Sequence, residues 1–114
     1  MNIEMNTVQG WTMLRFPDRV DALNIIDFMK AVETQVETQD RVAFDMRQVQ
    51  FINFQALRYL HEVAIELNGR GGQVSLVGPS EKMKRQFTLF ASLEPFKVIS
   101  SFEWSRSSTS ATPS

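Results

Sequence analysis

The residues able to do chemistry in this chain are few. There is one histidine, His61, and no cysteine among 114 residues. Thiolate nucleophiles, disulfides and cysteine-based metal sites are excluded together. His61 lies between Leu60 and Glu62 in a helical stretch, and no serine stands at a recognisable nucleophile elbow, so no catalytic triad is expected. Asp21 and Asp45 would suit metal or acid–base work only if the fold brought them together. Without a set of nitrogen or sulfur ligands only a hard-oxygen site remains, and the spacing of a calcium loop is absent. The expected roles are simpler: Asp45 ends a strand and accepts loop hydrogen bonds, and Asp21 caps the helix that follows it. Arg70-Gly71-Gly72 has the glycines of a phosphate loop, but they follow a helix and precede a strand, the reverse of the required order. Lys82, Lys84 and Arg85 lie beside Glu81 and read as a solvated helix face. No catalytic residue, metal site or cofactor is expected, and the chain is not read as an enzyme.

One segment stands apart. In Asn53-Phe54-Gln55 the asparagine suits a helix N-cap, and the phenylalanine stands in the first helical turn. Phe54, Arg58, His61 and Ile65 then recur at helical spacing along one stripe. That stripe is offset from Leu57, Leu60, Ala64 and Leu67, which have the spacing of a core face. An aromatic beside an arginine is the composition of a binding hot spot. The alternative is a phenylalanine tucked into the core beside a surface glutamine.

The elements that must position these residues follow from periodicity. Ile3 to Val8 and Trp11 to Phe16 read as a strand pair around a Gln9-Gly10 turn. Pro17 stops the second run. A helix is expected from about Leu23 to Thr38, with Ile25, Phe28, Met29, Val32 and Val36 on its apolar face. Arg41 to Met46 reads as a buried strand, and Phe51-Ile52 is an apolar pair ahead of a helix from about Phe54 to Asn68. Gly69 to Gly72 end that helix. Gln73 to Val77 is a strand. Ser80 caps a third helix, Glu81 to Phe90, whose apolar stripe is Met83, Phe87 and Phe90. Lys97 to Ile99 is a last strand, after which Phe102 and Trp104 have room to pack down. Strands alternating with helices predict crossover connections and largely parallel pairing, hence an α/β fold: a mixed β-sheet with helices packed against it. Periodicity leaves the strand order open.

Length suits one domain, expected over residues 1–104, with a disordered Ser/Thr-rich tail over residues 105–114. A net charge of −1 gives no general attraction for nucleic acid or an anionic membrane. No apolar run approaches the ~20 residues of a membrane helix. The expected location is the cytoplasm, without nucleic acid and without direct membrane insertion.

Read from Val42 to Leu57, the segment VAFDMRQVQFINFQAL resembles a STAS domain. That family's pattern is an apolar strand ending in Asp-Leu-Ser, a Phe-Ile-type pair, and Asp-Ser-Ser-Gly-Leu opening a helix. Arg19-Val20-Asp21-Ala22 resembles its Gly-Arg-Leu-Asp-Ala turn, and Gly71-Gly72, then Leu76-Val77-Gly78-Pro79-Ser80, then Phe90-Ala91-Ser92-Leu93 follow in order. The resemblance spans roughly Met1 to Trp104. It implies a STAS-like mixed sheet flanked by helices. It also implies a protein-binding surface at the N-terminus of the second helix, here Asp21, Asp45, Asn53, Phe54, Gln55 and Arg58. In anti-sigma-factor antagonists such a surface meets a kinase-type anti-sigma factor, and a serine in the turn takes a phosphate whose ~−2 charge releases the partner.

The sequence departs from the pattern at that turn. Asn53 replaces the aspartate, Phe54 and Gln55 replace the hydroxyl residues, and Ala56 replaces the glycine. Between Arg41 and Val74 there is no serine or threonine, and only Tyr59 carries a hydroxyl. The expected function is a protein-interaction module, resembling an anti-sigma-factor antagonist, that binds a regulatory partner without serine phosphorylation. The partner would be a kinase-type anti-sigma factor or another STAS-binding regulator, with self-association allowed. The alternative is a STAS-like accessory subunit of a lipid-transport ATPase complex.

Overall fold

Among the described residues, short apolar runs between amphipathic stretches fold as a main five-stranded sheet, with three helices packed on one face, and a small two-stranded sheet beside it. The computed structural model describes residues 3–100. In chain order the elements are β1 (Glu4–Val8), β2 (Trp11–Arg15), β3 (Arg19–Val20), α1 (Ile25–Val36), β4 (Arg41–Asp45), β5 (Phe51–Ile52), α2 (Phe54–Gly69), β6 (Gln73–Val77), α3 (Glu81–Phe90) and β7 (Lys97–Ile99). The main sheet runs β1-β2-β4-β6-β7. Only β1 is antiparallel to its neighbour, because it alone is joined to that neighbour by a tight turn. At that turn Gln9 and Gly10 both take positive φ, 52° and 85°, the conformation that a two-residue hairpin requires.

Alternation along the strands sorts side chains to two faces. Leu14, Val42, Phe44, Val74 and Leu76 meet Ile25, Phe28, Val32 and Val36 of α1, Leu57, Leu60, Ala64 and Leu67 of α2, and Met83 and Phe87 of α3 in one core. Phe16 sits at its centre, with ring centroids 4.9 Å from Phe28 and 5.1 Å from Phe44. Gly72 lets α2 turn directly into β6: a Cβ there would lie 2.7 Å from the Asp40 carbonyl oxygen, so any larger residue must displace backbone.

The sequence expectations hold for the sheet, its mixed pairing and three helices, and they need correction in four places. First, α1 starts at Ile25, not Leu23, and ends at Val36. Asp21 does not cap it; Asp21 accepts a hydrogen bond from the Leu23 N–H at 3.0 Å and so closes a turn before the helix. The N-cap is Asn24, which makes no side-chain capping bond. Second, Val20 and Ile52 belong to a separate two-stranded parallel sheet, Arg19↔Phe51 and Val20↔Ile52, too short for any periodic signal. Third, Phe90 leaves the core stripe of α3: it is exposed, and its ring lies beside that of Phe54 instead. Fourth, β1, β2 and β4 are each one residue shorter than expected. Phe102, Trp104 and the tail from Ser105 lie outside the described residues.

Candidate functional site

The small β3/β5 sheet brings the starts of α1 and α2 together. The Asn53 N–H donates to the Val20 carbonyl at 2.8 Å, so Asp21 and Asn53 are next to one another across a backbone bond. Asn53 has extended backbone and accepts from the Gln55 N–H at 2.7 Å, as the sequence predicts for an N-cap. On the other side, Asn24 locks the turn: its Oδ1 accepts from the Asp21 N–H at 2.9 Å and its Nδ2 donates to the Arg19 carbonyl at 3.0 Å. The Arg19 guanidinium donates to the Asp21 carboxylate at 3.0 Å. That bond, joined by the one from the Leu23 N–H, holds the Asp21 carboxyl below its ordinary range.

Asp45 works from beneath. It is 1% exposed, and both carboxylate oxygens are engaged by Arg47, Nε to Oδ1 at 2.9 Å and a terminal nitrogen to Oδ2 at 2.8 Å. The Arg47 N–H adds a third bond to Oδ1 at 3.1 Å. Asp45 thus holds the connection from β4 to β5, and it offers no surface to a partner. Gln48 continues the anchoring by donating to the Phe16 carbonyl at 2.6 Å, and the Gln50 N–H donates to the Asp18 carbonyl at 2.7 Å. The connection is therefore pinned at several points before it presents Phe51 and Phe54.

Phe54 is neither free nor in the core. It is 46% exposed, with its ring centroid 5.6 Å from that of Phe90, itself 43% exposed. The two rings, from the start of α2 and the end of α3, make a shared apolar surface. Phe51 lies on the exposed face of β5, with the Arg19 guanidinium 4.7 Å over its ring. Leu23, in the turn before α1, and Ile26, in its first turn, are also exposed, Leu23 at 94%. Gln55 and Arg58 are exposed, and Arg58 takes part in none of the ion pairs among the described residues. The stripe of Phe54, Arg58, His61 and Ile65 does face outward, with His61 half-buried.

Of the six residues singled out from sequence, Asn53, Phe54, Gln55 and Arg58 fall together on the first turns of α2, Asp21 is adjacent, and Asp45 is internal. Asp21 and Asp45 each pair with an arginine, and no metal-ligating cluster occurs among the described residues. Sequence reasoning missed Phe90, Phe51, Arg19, Leu23 and Ile26. Phe51 was legible in principle, since Ile52 beside it is buried and a strand alternates its side chains. The arrangement has no nucleophile aimed at a cavity and no paired acid and base. What it offers is a rigid apolar surface edged by cations.

Comparison with known proteins agrees with this architecture. The family model described as the STAS domain matches residues 2–103. No curated protein matches the chain by sequence. Among solved structures, one from Thermotoga maritima, provisionally assigned as an anti-sigma factor antagonist, superposes with a TM-score of 0.72 at 20% identity, covering 85% of each chain. The anti-sigma factor antagonist SpoIIAA in its unphosphorylated form gives 0.70 at 13% identity, covering 97% of this chain and 100% of its own. The murine anion transporter Solute Carrier 26 family member A9 gives 0.60 at 15% identity, with 90% of this chain matching 16% of the transporter. At these identities the superpositions establish the fold.

Proposed function

We propose, on the premise that this chain belongs to the STAS domain family, that it is a non-catalytic protein-interaction module whose partner docks on the surface around Asn53, Phe54, Gln55 and Arg58. The observation that carries the reading is the exposed Phe54–Phe90 pair at the start of α2. Half-open aromatic rings on a pinned turn are a low-entropy apolar anchor, and arginines at the edge suit a hot spot. Around that anchor Arg58 forms no ion pair with any of the described residues, while Arg19 is already paired with Asp21. A partner with an apolar pocket and an acidic rim fits this chemistry.

Docking here runs without the serine switch. The turn from Asn53 to Ala56 has no hydroxyl, so no kinase can add charge to it. Asn53 uses its side chain to cap α2, the part of the turn's work that needs only an acceptor oxygen. A regulated surface that is made apolar and left unmodifiable becomes a constitutive one. A kinase-type anti-sigma factor is the first partner to seek, with SpoIIAA, an anti-sigma factor antagonist, among the structural neighbours.

A second reading has its own support: the same fold forms part of an anion transporter. In that reading the chain braces a membrane transport complex, such as a lipid-transport ATPase, as an accessory subunit. Affinity capture from the source cells with wild-type and Phe54→Asp baits separates the readings. A histidine-kinase-like ATPase lost with Phe54→Asp supports regulation. A membrane transporter lost with the same variant supports the accessory role. Partners retained equally by both baits would remove this surface from either account.

A further inference from the structure

The parallel strands all begin at one end of the sheet, and a cationic cavity opens there. Val42 and Val74 belong to the core on the helix side. Alternation therefore turns their neighbours Arg41 and Gln73, which pair across β4 and β6, to the opposite face. Lys97 pairs with Ser75 and shares that face, as does Trp11, two residues before Met13. With Asn68 at the end of α2 and Ile99 of β7, these side chains line a cavity of about 500 Å³, a volume that suits a small metabolite. Its charge is one-sided. Arg41 and Lys97 line it and no carboxylate does. Neither cation takes part in an ion pair among the described residues. Asp40, next to Arg41 in the chain, is not in the lining, and its backbone carbonyl accepts from the Gln73 N–H at 2.7 Å. Arg41 is also held in place. Its guanidinium lies 4.7 Å over the Trp11 ring, and a Cβ on Gly10 would come within 3.4 Å of one of its terminal nitrogens. The net charge of the chain is −1, so two cations gathered without an acid do not reflect the overall charge.

We propose that this cavity binds a small phosphate monoester. Two positive charges match the ~−2 charge of such a group near neutrality. A planar guanidinium presents paired N–H donors to two oxygens of one phosphate, and an ammonium adds a point charge beside them. Stacking on Trp11 fixes the plane of the guanidinium before a ligand arrives, which lowers the cost of binding. The side-chain amides of Asn68 and Gln73 can donate to and accept from hydroxyl groups, and Trp11 and Ile99 give an apolar wall to a short carbon skeleton. A phosphorylated sugar or polyol carries all of these groups. The turn that opens α2 follows the far end of β4 and β5, whereas Arg41 begins β4. The cavity and the Phe54 surface are thus at opposite ends of the sheet, and this inference stands apart from the docking reading.

The test is calorimetric titration of the full chain with ribose 5-phosphate and with glycerol 1-phosphate, beside succinate as a dicarboxylate of equal charge. At least one ester should bind saturably with Kd of ~1 mM or tighter, and succinate roughly tenfold more weakly or not at all. Arg41 and Lys97 are both exposed, so Arg41→Gln and Lys97→Gln should keep the wild-type circular dichroism while each weakens the ester roughly tenfold or more. Lys82→Gln makes the same charge change on α3 and should leave Kd within about twofold. The Trp11 indole N–H resonance, assigned by its loss in Trp11→Phe, should move with the same saturation curve in the wild-type chain, a readout that needs no cation variant to fold. Absence of binding by either ester at ~10 mM overturns the proposal, as does succinate binding equally well or a Trp11 resonance that stays still. An unchanged Kd in folded Arg41→Gln and Lys97→Gln, or an equal loss in Lys82→Gln, overturns it too, because the attraction would then belong to the surface at large.

Discussion

Removing Phe54 should separate binding from folding, and the size of each effect follows from its exposure. A phenylalanine presents about 200 Å² of side-chain surface. With 46% of it open, about 90 Å² is available to a partner, or about 2 kcal/mol at ~25 cal/mol per Å². Phe54→Ser should therefore raise Kd roughly 30-fold. The covered half, including the ring contact with Phe90, makes the same change cost about 2–3 kcal/mol of stability, below the ~3–5 kcal/mol of a phenylalanine lost from a core. The variant should melt lower than wild type and still be folded at 25 °C, given that domains of this kind have ~5–15 kcal/mol in hand. Phe54→Asp should weaken binding further, since it puts a fixed negative charge where a partner's acidic rim would sit. Calorimetric titration of the captured partner, beside a thermal melt of each variant, reads both numbers. Loss of the fold, or an unchanged Kd in a folded Phe54→Ser protein, would refute the reasoning.

Other consequences can be checked on the isolated protein. Tyr59 is the only tyrosine. Burial, and then the nearby carboxylates of Glu33, Glu66 and Glu62, push it up to about 12. Its raised value means that the folded state keeps the phenol proton where the unfolded chain has lost it. The associated stability is complete below pH ~10 and disappears as pH rises towards ~12. Tyrosinate absorbance should titrate near that upper value in the folded protein. Tyr59→Phe, which removes the 3.0 Å bond to the Met29 carbonyl, should cost about 1 kcal/mol near neutrality and flatten the alkaline loss. Arg47→Met should cost ~3–5 kcal/mol, because it strands the buried Asp45 carboxylate; Asp45→Asn should cost less, since Arg47 is one-third exposed and can turn to water. Comparative denaturant melts give the order. Truncation after Trp104 should leave the melting temperature nearly unchanged, because residues 105–114 have too few apolar side chains to offset ~1–2 kcal/mol of backbone entropy per residue. A fall of many degrees would contradict that reading.

The parts of the fold that periodicity carries were legible in the sequence. Gln73–Val77, Glu81–Phe90 and Lys97–Ile99 have the expected bounds, and Asn53 and Ser80 cap as their side chains dictate. What was not legible depends on contacts between distant segments. Two-residue strands such as Arg19–Val20 and Phe51–Ile52 have no period; they exist because each finds the other. Asp21 has the right composition for a cap, but Arg19 and Asn24 hold it in a turn one step earlier. Phe90 has helical spacing with Met83 and Phe87, and spacing cannot report that its ring lies against Phe54 of α2 and not in the core. At the candidate site the same division holds. The missing hydroxyls are a fact of composition, whereas the degree to which Phe54 is covered depends on a ring from another helix.

The central claim is a docking surface that no phosphorylation releases. The direct measurement is Kd for the captured partner with the full-length wild-type chain, taken with and without ATP and magnesium, with intact-mass analysis of the chain after each titration. The account predicts the same Kd in both conditions and no phosphoryl group on residues 41–74. An ATP-dependent loss of binding, accompanied by a phosphoryl group on Tyr59 or any other residue of this chain, would contradict it.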